Sequence, residues 1–188
     1  MMFVDTNIVS ELIRPRPHPA VLAWAQRCER FALSVVTIEE LRFGLSLRPS
    51  ARIERWLRGF VEEYCDVLPV THSIAEWCGT TRAALRLQGQ PRTQADLLIA
   101  GTAFACGLPL VTRNVRDFQG CGLHVINPFD GGQLLTPVSA RKPSRSAGQE
   151  RRRAFTHRAT RALRWAVYEP IPGSISSVLG RADWKASG

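Results

Sequence analysis

Short strand-like runs alternating with helical segments predict an α/β fold with a mainly parallel sheet. Three observations carry this. β-rich runs recur at Phe3-Val4, "FALSVV" (31–36), "LPLVT" (108–112) and "LHVIN" (123–127). Between them lie longer segments whose apolar residues repeat at helical spacing. The breaks fall at Pro and Gly, as in "RPRP" (14–17) and Gly89-Gln90-Pro91.

The elements follow in order. Phe3-Val4 starts the first strand and runs straight into Asp5. Ile8 to Ile13 reads as a helix, stopped by the prolines at 15 and 17. Val21, Trp24, Ala25 and Cys28 fall at helical spacing. "FALSVV" reads as a buried strand, with a helix from Thr37 towards Leu47. Ile53, Trp56, Leu57, Phe60, Val61 and Tyr64 follow i, i+3, i+4, i+7 and predict an amphipathic helix. Its apolar stripe suits plain core packing, or a groove for a partner. Ile74, Trp77, Cys78, Thr81 and Leu85 predict another helix. "TQADLLIAGTAFACG" (93–107) is a helix rich in small residues, with Gly107 suited to its C-cap.

The chain divides at its charge. Of 25 Lys and Arg and 16 Asp and Glu, residues 136–188 hold eleven and three. Residues 1–135 hold the remaining fourteen and thirteen and are nearly neutral. Residues 1–135 are therefore read as the folded domain. Residues 136–188, rich in Arg, Ser, Pro and Gly, are read as a basic C-terminal extension whose composition predicts disorder. The alternative for that extension is an arm that contacts the phosphates of a polyanionic partner.

The length, 188 residues, suffices for one domain with a real core. No run reaches the roughly 18 apolar residues of a membrane span. The N-terminus lacks the basic region of a signal peptide, so a cytoplasmic location is the default expectation. The five cysteines show no C-x-x-C pair, which excludes the usual thiolate zinc spacing and predicts buried free thiols.

Four acids fall at strand ends or helix starts. Asp5 ends the first strand, Glu40 is placed in the first turn of the helix after "FALSVV", and Asp96 in the first turn of the small-residue helix. Asp117 follows "LPLVT" in "TRNVRDF". Plain structural roles are open to them. Thr37 and Thr93 stand three residues before Glu40 and Asp96, the spacing of a capping box, and Asp117 could cap a turn. Asp5 is harder to explain this way, because a carboxylate at a buried strand end is costly unless paired or liganded. Ligands of open α/β sheets gather at these strand ends. Several carboxylates on one rim repel, and a hard divalent cation with oxygen ligands would relieve them. The residues alone thus point to an acidic metal site on an α/β sheet.

"FVDTNIVSEL", "TIEELRFG", "QADLLIAGTA" and "LVTRNVRDF" with the following "INP" resemble, in order and spacing, the PIN-domain ribonucleases. The likeness is to VapC-like and FitB-like toxins of toxin–antitoxin pairs and covers residues 2–130. It implies a three-layer α/β/α fold and metal-dependent hydrolysis of RNA phosphodiester bonds, leaving a 5′-phosphate and a 3′-hydroxyl. It implies that Asp5, Glu40, Asp96 and Asp117 are the catalytic metal-binding acids, with Mg²⁺ or Mn²⁺ as cofactor. Some relatives carry an acid where Asn114 stands here, and only Asp117 is acidic in this element. Asn7, Thr112 and Asn114 are implied to support the metal, its waters or the phosphate. Glu39 matches no family position and is expected to point away. The implied partners are an RNA substrate, a cognate antitoxin and a second copy in a homodimer. Two other classes compete: an inactive PIN-fold binding module, and a Mg-dependent phosphatase or phosphotransferase with an aspartate nucleophile. The latter usually has a second Asp two residues after the first, where this chain has Asn7.

Overall fold

Strand β1 (Met2–Val4) lies at the middle of a sheet ordered β3-β2-β1-β4-β5-β6. The computed structural model describes residues 1–131 and the backbone of 134–135. The basic extension assigned to 136–188 lies outside the described residues. Five strands run parallel: β1, β2 (Phe31–Ser34), β3 (Cys65–Leu68), β4 (Leu110–Val111) and β5 (Val125–Ile126). β6 (Leu134–Leu135) pairs antiparallel with β5.

The register follows from period-two alternation. Phe3 sits opposite both Ala32 and Leu110, and Val4 opposite Val111. Phe3, Ala32, Leu110 and Val125 face one hydrophobic core. Val4, Phe31, Leu33, Val111 and Ile126 face the other. Buried on both faces, these strands read as continuous apolar runs, as parallel strands do.

Helices cover both faces, giving three layers. Helices α1 (Thr6–Leu12), α2 (Pro19–Ala25) and α4 (Ala51–Tyr64) pack on the Val4 side. Helices α5 (His72–Leu87) and α6 (Gln94–Cys106) pack on the Phe3 side. Helix α3 (Val35–Leu47) reaches both cores, through Leu41 on one side and Val36 on the other. The stripe on α4 buries Leu57, Phe60 and Tyr64, and Phe60 stacks on Trp56 with centroids 4.8 Å apart. That stripe packs into the core. Helix α6 comes close to α5 at Gly101, where a Cβ would stand 2.9 Å from the Trp77 ring, so its small residues permit the approach. Gly107 ends α6 with φ 65°, the left-handed conformation expected of a glycine C-cap.

Four local expectations change. The helix after "FALSVV" begins at Val35, not Thr37, because Ser34 caps it by accepting the Val36 N–H at 3.2 Å. The β-branched Val35-Val36 reads as strand, but this cap overrides so weak a preference. Thr37 is therefore no cap, and Glu40 lies in the second turn. Strand β3 is too short, with Val67 exposed at the sheet edge, to show in an apolar pattern. Cys28 lies beyond α2, which ends at Ala25.

The cysteines are free, and Cys65, Cys78 and Cys121 are buried. Burial raises the Cys121 thiol to about 11, which suppresses its reactivity. No described helix is long and apolar enough to cross a membrane. Thr37 is fully buried and its hydroxyl finds no hydrogen-bond partner among the described residues. Thr37→Val keeps the shape and removes the unsatisfied group, so it is expected to stabilise the fold by about 1 kcal/mol in urea melts.

Candidate active site

The strand order creates the site. The chain moves from β1 outward to β2 and β3, then crosses back to β4 on the other side of β1. Connections leave β1 and β4 in opposite directions, which opens a crevice at their carboxyl ends. Asp5 follows β1 there, and Thr112 follows β4.

Asp5 is the N-cap of α1 and is only 5% exposed. Its Oδ1 accepts the Thr6 N–H at 2.7 Å. Its Oδ2 accepts from Asn7 Nδ2 and from the Thr112 hydroxyl, both at 2.6 Å. Asn7 also donates to Thr112 Oγ1 at 2.9 Å, and its own Oδ1 accepts the Arg113 N–H at 3.1 Å. Thr112 Oγ1 accepts the Asn114 N–H at 3.0 Å. One network thus ties the first turn of α1 to the loop after β4 and fixes the carboxylate between them. Burial pushes the Asp5 carboxyl up to about 6. The Thr112 and Thr6 hydrogen bonds oppose that rise, and the Asp96 and Glu40 charges add to it.

Glu40 and Asp96 approach from helices. Glu40, half-buried on α3, accepts the Thr6 hydroxyl through Oε2. Asp96 lies in the first turn of α6. Thr93 caps that helix by accepting the Asp96 N–H at 3.1 Å and gives its own hydroxyl proton to Asp96 Oδ2. Here the capping arrangement expected for "TQAD" is present, and it aims Asp96 at the crevice as well.

Asp5, Glu40, Asp96, Asn7 and Asn114 line one open cavity of about 550 Å³, together with Thr6, Ser10, Glu11, Arg14, Glu39, Phe43, Arg113 and Phe129. Three of the four acids named from the sequence are thus brought together. Asp117 is not among the lining residues. It sits in the 3₁₀ turn Val115–Phe118, and its N–H donates to the Asn114 carbonyl at 3.0 Å. Asn114 faces the cavity, and Asp117 lies one 3₁₀ turn farther along the chain. Glu39, expected to point away, lies exposed on the cavity rim. The cavity is open enough to take in two neighbouring positions of α3.

Glu11, Arg14, Arg113, Phe43 and Phe129 were not singled out from the sequence. A signal for two of them was present. Asn7, Glu11 and Arg14 are spaced by four and three residues, which places them along one side of the first helix and its exit. Phe129 and Arg113 carry no such signal, because they meet only through the fold.

The donor set suits a hard divalent cation: all the side-chain donors are oxygens, and Asp5 is a buried carboxylate whose negative form is disfavoured until a cation joins it. Among the described residues no three His, Cys, Asp or Glu side chains already converge on one metal position. The Thr6 and Thr93 hydroxyls each hold one oxygen of Glu40 and Asp96. The fit is therefore in donor chemistry and place, with those two carboxylates held by hydroxyls.

Known proteins match this chain in sequence and fold. A model of the PIN domain matches residues 2–119. The VapC ribonuclease Y4jK of Sinorhizobium fredii is 36% identical over 138 residues, covering 69% of this chain and 99% of its own. Toxin FitB of Neisseria gonorrhoeae is 30% identical over 137 residues, with the same 69% and 99% coverage. A chain in the crystal structure of FitAcB from that organism superimposes with a TM-score of 0.61 at 30% identity, covering 69% of this chain and 99% of its own. With its crevice at the β1–β4 switch and a buried aspartate at the head of α1, this chain belongs to the PIN-domain family, beside the VapC ribonucleases and FitB-type toxins.

Proposed function

We propose that this protein is the toxin of a toxin–antitoxin pair and a metal-dependent ribonuclease that hydrolyses RNA phosphodiester bonds at the Asp5 crevice. The observation that carries the site is Asp5 itself: buried, held by three donors, raised to about 6, and faced by the charges of Asp96 and Glu40.

Asp5, Glu40 and Asp96 would hold the divalent cation, Mg²⁺ or Mn²⁺. Bound there, such a cation supplies Lewis acidity towards phosphate oxygens and lowers the pKa of water. The chain's own residues do the rest. Thr112 and Asn7 fix the Asp5 carboxylate against rotation. Thr6 and Thr93 hold Glu40 and Asp96 at the crevice edge. Asn114 offers an amide to a water or a phosphate oxygen. Asp117 is proposed as the fourth acid, acting from behind Asn114. Ser10 lines the cavity, but water is the nucleophile in this reading and no covalent intermediate on the chain is needed. Hydrolysis by water leaves a 5′-phosphate and a 3′-hydroxyl.

The partners proposed are an RNA substrate, a cognate antitoxin and a second copy of the chain. The likeness to a protein named as a toxin supports the antitoxin. The domain reading places all of this in residues 1–135.

The test is cleavage of a random-sequence oligoribonucleotide pool by the full chain. The expected result is cleavage with Mg²⁺ or Mn²⁺, none with chelator, and products bearing 5′-phosphates. A chain ending at Leu135 is expected to cleave at the same rate. Metal-independent cleavage, or products with a 2′,3′-cyclic phosphate, would sink the mechanism.

A further inference from the structure

Five carboxylates line the cavity, from Asp5, Glu11, Glu39, Glu40 and Asp96. Such a floor repels a polyanion, so a site for RNA needs cations at its flanks. Two arginines, Arg14 and Arg113, line the same cavity. A continuous series of contacts connects them.

Glu11 is only 6% exposed, although it is charged. Its Oε1 accepts the His18 N–H at 2.9 Å, and its Oε2 meets Arg14 Nη1 at 3.1 Å. The His18 ring lies 5.0 Å from the Phe129 ring, centroid to centroid. The Arg113 guanidinium lies 4.8 Å above that same Phe129 ring. Residues of α1, the turn after it, the loop after β4 and the 3₁₀ turn Pro128–Asp130 are thereby tied together. A buried carboxylate is retained at a cost of several kcal/mol unless it is paired. Glu11 is paired on both oxygens, and the result is an arginine held at the cavity with most of its side chain exposed. Stacking on Phe129 covers one face of the Arg113 guanidinium and leaves its edge for an anion.

We infer that Arg14 and Arg113 are the phosphate contacts that seat an RNA strand across the acidic floor, and that Glu11 and Phe129 are their positioning residues. This inference rests on the ribonuclease reading above. The near-neutral charge of residues 1–135 makes two local cations matter more than they would on a strongly basic surface.

The experiment uses the full chain and the random-sequence single-stranded pool, with KM and kcat measured across a KCl series. Arg14→Gln and Arg113→Gln are each expected to raise KM about tenfold with little change in kcat. Each should also lower the slope of log KM against log[KCl] by about 0.7, the value for one single-strand phosphate. Glu11→Gln keeps the Arg14 charge but releases its side chain, so it should raise KM in the wild type and bring no such rise in the Arg14→Gln background. Phe129→Leu should do the same for Arg113. Arg30→Gln is the control, since Arg30 precedes β2 at the other end of the sheet and pairs with Asp66. Anisotropy of a labelled pool in chelator reads the same salt slopes without turnover. Unchanged KM and slopes in both arginine variants would overturn the inference while leaving the ribonuclease reading intact. Wild-type binding that shows the slopes, without any cleavage, would overturn the ribonuclease reading and keep the phosphate contacts.

Discussion

Asp5→Asn is expected to abolish RNA cleavage, lowering kcat by on the order of a thousandfold or more, with the chain still folded. The reason is local. An asparagine at position 5 can still accept the Thr6 N–H through its carbonyl oxygen and cap α1. Its amide NH₂ would then stand where Oδ2 now accepts from Asn7 and Thr112. The negative charge that would hold a cation is gone, and a donor faces the Asn7 donor. Asp96→Asn should cost nearly as much in kcat, because Asp96 adds charge to the same crevice. Its Thr93 cap to the backbone survives, so folding should be unaffected. The measurement is single-turnover cleavage beside a thermal melt of each variant. Wild-type rates in a folded Asp5→Asn protein would remove Asp5 from the mechanism.

The second large effect is on stability without metal. The Asp5 carboxyl is raised from 3.8 in the reference state to about 6 in the fold. The folded chain therefore binds this proton more tightly than the unfolded chain. The associated stability is fully present below about pH 4 and is lost as pH rises through about 6. A shift of this size corresponds to about 3 kcal/mol in full, of which about 2 kcal/mol is lost between pH 4 and pH 7. Other groups titrate too, so the signal is the difference between wild type and Asp5→Asn, measured in urea with chelator present. The wild type should lose about 2 kcal/mol more than the variant across that window. Adding Mn²⁺ at pH 7.5 should return about 2.7 kcal/mol to the wild type at a hundred times its dissociation constant, and nothing to the variant. Equal pH slopes in the two proteins would show that Asp5 does not bear this charge.

These two effects share one origin. The same burial that makes the Asp5 anion unstable in the empty fold makes a bound cation favourable. A site of this kind keeps its central acid dry and its flanking acids on hydroxyl partners, as Thr6 and Thr93 are for Glu40 and Asp96.

Much of this was readable from the chain. Continuous apolar runs around Phe3-Val4, Phe31 and Leu110 announce strands buried on both faces. The spacing from Ile53 to Tyr64 announces a helix, and that helix is α4. "TQAD" announces both a helix start and an acid at its first turn, because capping is decided within four residues. The short edge strand β3 was not readable, since its buried ends Cys65 and Leu68 flank Asp66 and Val67 with no alternation over four residues. Nor was the start of α3, where Ser34 rather than Thr37 makes the cap.

The sequence by itself determined the α/β class, most of its elements in order, and the presence of Asp5 at a strand end and of Glu40 and Asp96 on helices. Those depend on local periodicity and capping, which act over a few residues. Only the tertiary structure decided which side chains share the crevice. The crossing of the chain from β3 back to β4 brings Thr112 to Asp5 across 107 positions, puts Asn114 rather than Asp117 on the cavity wall, and stacks Arg113 on Phe129. Contacts between residues so distant in sequence arise from strand order and register, and no local pattern encodes them.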